Sequence, residues 1–188
     1  MNDRISITML EDGIADVRMT RVDKMNALDG AQWNALVEAI DQLKATPGLR
    51  VVVLSGEGRA FCAGLDLASL QSERDPGASS AGGSLADRTK GISNNAQYAA
   101  YGWRELPVPV IAAVHGFCLA GAFEVALSCD VTIAAEGTRF GEPEVRFGSG
   151  MVALLLPWFV GPKAAKELLL TGNDKIDAKR AMDLGIVN

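Results

Sequence analysis

Histidine is almost missing from this chain: His115 is the only one in 188 residues. That excludes metal motifs built on several histidines, such as HExxH. Cysteine is scarce as well. Cys62, Cys118 and Cys129 are odd in number and form no CxxC pair. Neither a disulfide framework nor a cysteine zinc site is expected, and a reducing cytoplasm is the compartment that fits. No apolar run reaches the roughly 20 residues that a membrane helix needs. The opening Met1-Asn-Asp-Arg leads into a short alternating segment, which does not read as a signal peptide. A net charge of −5 gives no general attraction to nucleic acid, although local backbone N–H groups can still bind an anion.

Several common motifs also fail. Gly56-Glu-Gly58 follows an apolar run, but Phe61 breaks GxGxxG, and no Walker A lysine pattern occurs. Ser149 in Phe147-Gly-Ser-Gly150 lacks the first glycine of GxSxG. His115 closes an apolar run and reads as a packing or turn residue.

What is present suits one globular domain spanning 1–188. Hydrophobic residues make up 48% and charged residues 22%, enough for a core and too apolar for disorder. Ile5 to Leu10 and Ile14 to Met19 alternate like strands, with the hairpin signal Glu11-Asp12-Gly13 between them. Trp33, Leu36, Val37, Ile40 and Leu43 share one helical stripe. Asp29 with Gln32 three residues on forms a cap signal ahead of it, and Pro47-Gly48 lies past its end. The runs Val51–Leu54, Val110–Val114 and Val131–Ala135 are apolar almost throughout. They predict parallel strands covered on both faces and joined by helices, an α/β class. Gln71 to Ser84, rich in Gly, Ser and Ala, reads as a flexible surface loop. Pro162 predicts a helix start, Gly172 its end, and a last helix spans Ala178 to Leu184.

The pattern of strand, small-residue turn and helix start occurs twice. One copy runs from Val51 into Phe61-Cys-Ala-Gly-Leu-Asp66, the other from Val110 into Leu119-Ala-Gly-Ala-Phe-Glu124. Helix N-termini leave N–H groups free and carry partial positive charge. Two of them facing one cleft would supply two donors to one oxygen, an oxyanion hole. Tight helix–strand packing would give the same spacing. Glu124 adds a second signal. Ala122, Phe123, Val125, Ala126 and Leu127 make its helix apolar nearly all round, so the carboxyl is expected to be buried. Burial raises a carboxyl pKa toward neutrality, where proton transfer is effective. Glu142 and Glu144 flank Pro143. Residue chemistry alone does not choose between them, and solvation on a loop is the default for both.

In order along the chain, the segments Asn26-Ala-Leu-Asp29, Val51 to Leu67, Ile111 to Asp130 and Arg139-Phe-Gly-Glu-Pro-Glu-Val145 resemble the signatures of the crotonase (enoyl-CoA hydratase/isomerase) superfamily. The resemblance covers nearly the whole chain. It implies the crotonase (ClpP/crotonase-like) fold, a superhelix of stacked ββα turns, and an acyl-CoA thioester as substrate. By motif position, Ala63 and Gly121 would be the oxyanion donors. Ala63, Gly64, Leu65, Asp66 and Gly121 would line the coenzyme A site mainly through backbone, with Asp66 equally able to cap a helix. Lys24 would approach the nucleotide phosphates.

The hydratase glutamates fall on Glu124 and Glu144, leaving Glu142 as the bystander. The reaction implied is hydration of a trans-2-enoyl-CoA without a metal or redox cofactor, coenzyme A being part of the substrate. A double-bond isomerase or a catalytically silent acyl-CoA-binding or assembly protein are the alternatives. Relatives usually continue with C-terminal helices that close the acyl site and support a homo-oligomer, trimer or hexamer; that region is expected to be absent here. Ala120 and Ala122 replace glycines common around Gly121, and Gly148 to Pro157 departs from the usual glycine-rich run.

Overall fold

The computed structural model describes residues 3–69, 96–147 and 155–188. The 71–84 segment and Ser149 lie outside them, as does most of the Gly148 to Pro157 run.

Strands β1 (Ile5–Met9) and β2 (Ile14–Met19) pair antiparallel around the Glu11–Gly13 turn. Helix α1 (Gly30–Lys44) then crosses to β3 (Val51–Gly56), which lies parallel to β2. Asp29 caps α1, its side chain accepting the Gln32 N–H at 2.8 Å, as the Asp29/Gln32 spacing predicts. The stripe is confirmed too: Trp33, Leu36, Ile40 and Leu43 are buried. Strands β4 (Val110–Val114) and β6 (Val131–Ala134) extend the sheet in parallel, giving the order β1-β2-β3-β4-β6.

The apolar strands are less symmetrically covered than their composition predicts. Val52 and Leu54 are fully buried with Val110, Ala112 and Val114, while Val51, Val53, Ile111 and Ala113 between them are only half-buried. One face therefore holds the main core, closed by Leu36, Ile40, Trp103 and Phe123.

The chain leaves β4 through β5 (Phe117–Leu119) into helix α2 (Gly121–Ser128). A second sheet, β5-β7-β8, joins β5 to β7 (Arg139–Gly141) in parallel and to β8 (Ile176–Asp177) beyond it. The sequence reading missed β8, two residues long and with no period of its own. Helix α3 (Leu156–Thr171) breaks at Gly161, φ 76° and ψ 162°, and resumes at Pro162. Gly172, in the left-handed region, ends it. Helix α4 (Ala178–Asp183) is capped by Asp177. No helix among the described residues is long and apolar enough to cross a membrane.

Candidate active site

Two loops meet where the small sheet touches the large one. Cys62 and Cys118 form a parallel bridge, with Cys62 N–H on the Phe117 carbonyl at 3.0 Å and Leu119 N–H on the Cys62 carbonyl at 3.3 Å. The same crossing brings Gly64 against Leu119 and Ala120, at the turn into α2. Gly64 makes this approach possible. A Cβ there would lie 2.6 Å from the Leu119 carbonyl oxygen and 2.9 Å from Ala120 Cβ, and its φ of 87° favours glycine in any case.

The donors differ from the expectation at one position. The Ala63 N–H is already spent on the Met25 carbonyl at 3.0 Å, so it does not fit as an oxyanion donor. Leu65 is the candidate in its place. It sits between two bonds that tie its neighbours to Leu28: Leu28 N–H to the Gly64 carbonyl at 2.8 Å, and Asp66 N–H to the Leu28 carbonyl at 3.0 Å. In that bridge geometry its own N–H points away from Leu28. Among the described residues neither the Leu65 nor the Gly121 N–H has an acceptor. Gly121 opens the first turn of α2, where free amides are inherent. Ahead of it Ala120 holds φ 56° and ψ −131°, a strained position for a residue with a Cβ. Its N–H bonds the Gly141 carbonyl at 2.8 Å, tying β7 to the donor turn.

Three carboxyls converge near this turn. Glu124, on α2, is fully buried, and neither of its oxygens completes a hydrogen bond among the described residues. Burial, reinforced by the charge of Glu144, pushes its carboxyl up to about 8 against a weaker opposing pull from the Leu155 main chain. Glu144 is 6% exposed, again with both oxygens unpartnered. Glu142 is no solvated bystander. It is 2% exposed, and burial first, then the neighbouring Glu144 carboxyl and the Glu124 charge, raise its carboxyl well above the usual range. Loop solvation, the default for both, is overturned: both carboxyls are buried, and the Glu142 N–H is held by the Asn173 carbonyl beyond α3. The Tyr101 hydroxyl is buried without a partner among the described residues, and burial together with the Glu124 and Glu142 charges pushes it up to about 12.

Other candidates are more peripheral. The Asp66 carboxylate is committed to Arg21 at 2.8 Å and to the Ala68 N–H at 3.1 Å, which favours the capping reading. Lys24 is exposed on the Val22–Lys24 turn. His115 Nε2 meets the Gly58 carbonyl at 2.9 Å, the turn role expected of it. Sequence reasoning missed Arg21, Tyr101 and the choice of Leu65 over Ala63. The charge at position 21 was visible, though not its partners Asp29 and Asp66; the other two carried no local signal.

Main-chain N–H groups without acceptors among the described residues, together with buried acids, form an arrangement that can polarise a carbonyl and exchange protons. Comparison with known proteins agrees in class. The family model for enoyl-CoA hydratase/isomerase matches residues 9–188, and the chain belongs to that family, with the crotonase fold.

A solved enoyl-CoA hydratase/isomerase from Xanthobacter autotrophicus Py2 is 40% identical with a TM-score of 0.88, covering 98% of this chain and 65% of that one. The mitochondrial enoyl-CoA hydratase domain-containing protein 2 of Mus musculus is 34% identical over 97% of this chain and 59% of its own. The mitochondrial Delta(3,5)-Delta(2,4)-dienoyl-CoA isomerase of the same organism is 29% identical over 99% and 58%. The chain thus spans about three fifths of the length of these curated relatives.

Proposed function

We propose that the chain hydrates a trans-2-enoyl-CoA to the 3-hydroxyacyl-CoA. The observation that carries this reading is that the Leu65 and Gly121 amides have no acceptor among the described residues, on two loops joined at the Cys62–Cys118 bridge, while Glu124 and Glu144 are buried. The thioester oxygen would accept both N–H groups. As water attacks the β-carbon, the alkene π pair moves toward that oxygen as an enolate, and preorganised donors stabilise the charge. The α-carbon then takes a proton, completing the addition.

The two glutamates act as a unit. One accepts a proton from water while the other serves the α-carbon, so the pair must hold one proton between them. Burial of Glu124 next to Glu144 favours such sharing at neutral pH. Glu124 is assigned to the water and Glu144 to the α-carbon. Backbone at Ala63 to Asp66 would line the coenzyme A, with Lys24 near its phosphates. No metal or redox cofactor enters these steps.

The test is turnover of a short trans-2-enoyl-CoA, followed by loss of the conjugated thioester absorbance and by product identification. Glu124→Gln and Glu144→Gln should each lower kcat by about 100-fold or more, the scale of a lost acid or base. Wild-type rates in both variants would sink the assignment.

The similarity to a dienoyl-CoA isomerase favours one other reading, double-bond migration. Isomerisation returns the same proton that a base removes and adds no water. A 3-enoyl-CoA converted without incorporation of labelled solvent oxygen would select it. Tight acyl-CoA binding with no turnover on either substrate would identify a silent binding or assembly protein. The compartment, a cytoplasmic one, and a homo-oligomeric state belong to the same proposal, checked by fractionation and by mass in solution.

A further inference from the structure

Arg21 lies two residues past β2, and its guanidinium reaches three residues on two segments. Nη1 bonds the Ala27 carbonyl at 2.9 Å and lies 3.1 Å from Asp29 Oδ2, while Nη2 lies 2.8 Å from Asp66 Oδ2. The three side chains are only 11–15% exposed, so the fork is shielded from the solvent competition that weakens surface ion pairs.

The two anchored segments are the two sides of the Leu28–Leu65 bridge. Ala27 precedes Leu28, and Asp66 follows Leu65. Asp29 has a second cation, Arg4, at 3.2 Å. Asp66 has none but Arg21 among the described residues. Burial alone would raise the Asp66 carboxyl; the Arg21 hydrogen bond, the Ala68 and Ser69 amides and the Arg21 charge outweigh it and hold it below its ordinary value. Loss of Arg21 would therefore leave the α1 cap with a partner and release the Asp66 side specifically.

We propose that Arg21 is a positioning residue of the oxyanion hole, clamping Ala27 and Asp66 so that the Leu65 N–H between them is held toward the substrate carbonyl. The inference rests on the reading of Leu65 and Gly121 as the donors. Arg21 touches no reacting atom; its effect passes through the bridge. Lysine cannot replace it, because one ammonium does not span Ala27, Asp29 and Asp66 as a planar fork does.

The experiment uses the full chain with a saturated acyl-CoA carrying a 13C carbonyl, which binds without turning over. The infrared carbonyl stretch should fall in frequency on binding to the wild type. Arg21→Met should lose at least half of that downshift. In turnover it should lose about tenfold or more in kcat while KM changes less than about threefold, the pattern of an interaction made mainly in the transition state. Arg21→Lys should lie between the two. Asp66→Asn, which keeps the shape and the Ala68 cap, should reproduce part of the loss and serves if Arg21→Met does not fold. A wild-type downshift in both Arg21→Met and Asp66→Asn would overturn the inference and leave the oxyanion hole standing. No downshift in the wild type would overturn the oxyanion-hole reading, and this inference with it.

Discussion

The Ala63 N–H donates to the Met25 carbonyl oxygen at 3.0 Å, while the N–H of Leu65, two residues on, has no acceptor among the described residues. The pairing separates a structural amide from a candidate chemical one. Replacing a single backbone amide by an ester removes the N–H and keeps the side chain. At Leu65 this should cost about 100- to 1,000-fold in kcat, the size of a lost oxyanion donor. At Ala63 it should cost about 1 kcal/mol of stability and little activity, as expected for one structural hydrogen bond. Equal kcat losses at the two positions would refute the distinction.

Gly121 faces the indole of Trp33. A Cβ at 121 would lie 2.8 Å from Trp33 Cη2 and 3.2 Å from Leu28 Cδ1. Gly121→Ala should shift the start of α2, costing about 1–3 kcal/mol and a larger share of kcat than of acyl-CoA affinity. Combining it with Trp33→Leu should recover part of both. Melting curves and single-turnover rates on the double variant check this; no recovery would place the clash elsewhere.

Ala120 pays the strain of φ 56° and ψ −131° at the entrance to the same helix. Ala120→Gly should stabilise the fold by about 1 kcal/mol, strain relief outweighing the extra freedom of glycine in the unfolded chain. Chemical denaturation measures it. An unchanged or lower stability would mean that the surrounding hydrogen bonds already offset the strain.

Glu124 links stability to pH. Its carboxyl titrates at about 8 in the fold, above the ordinary value of 4.5. A raised acid stabilises the fold below the ordinary value and loses that contribution as pH climbs through the folded one. Tm should therefore fall between about pH 4.5 and pH 8. Glu124→Gln should flatten this part of the profile and be the more stable form at pH 8. Glu144→Gln, by removing the reinforcing charge, should move the transition to lower pH. A wild-type Tm that is flat over this range would contradict the burial assigned to Glu124.

Much of the architecture was legible in the linear chain. Asp29 with Gln32 announced α1, Pro162 and Gly172 announced the second part of α3 and its end, and alternation in Ile14 to Met19 announced β2, because caps, helix starts and strand periodicity are decided within a few residues. Glu124 was legible for the same reason: an acid in an almost wholly apolar helix is expected to be buried, and it is fully buried.

Local sequence determined the main helices and the strands of the large sheet, where the small-residue turns fall, and that one acid would be hidden. The tertiary structure alone decided which amide is left unspent, that Glu142 and Glu144 are both enclosed, and that Arg21 reaches Asp66. Each of those depends on which distant segment lies alongside: Met25 for Ala63, the Asn173 turn for Glu142, the Leu28–Leu65 bridge for the clamp. Hydrogen-bond direction and burial are properties of neighbours in space, and neither is encoded within the few residues around the group concerned.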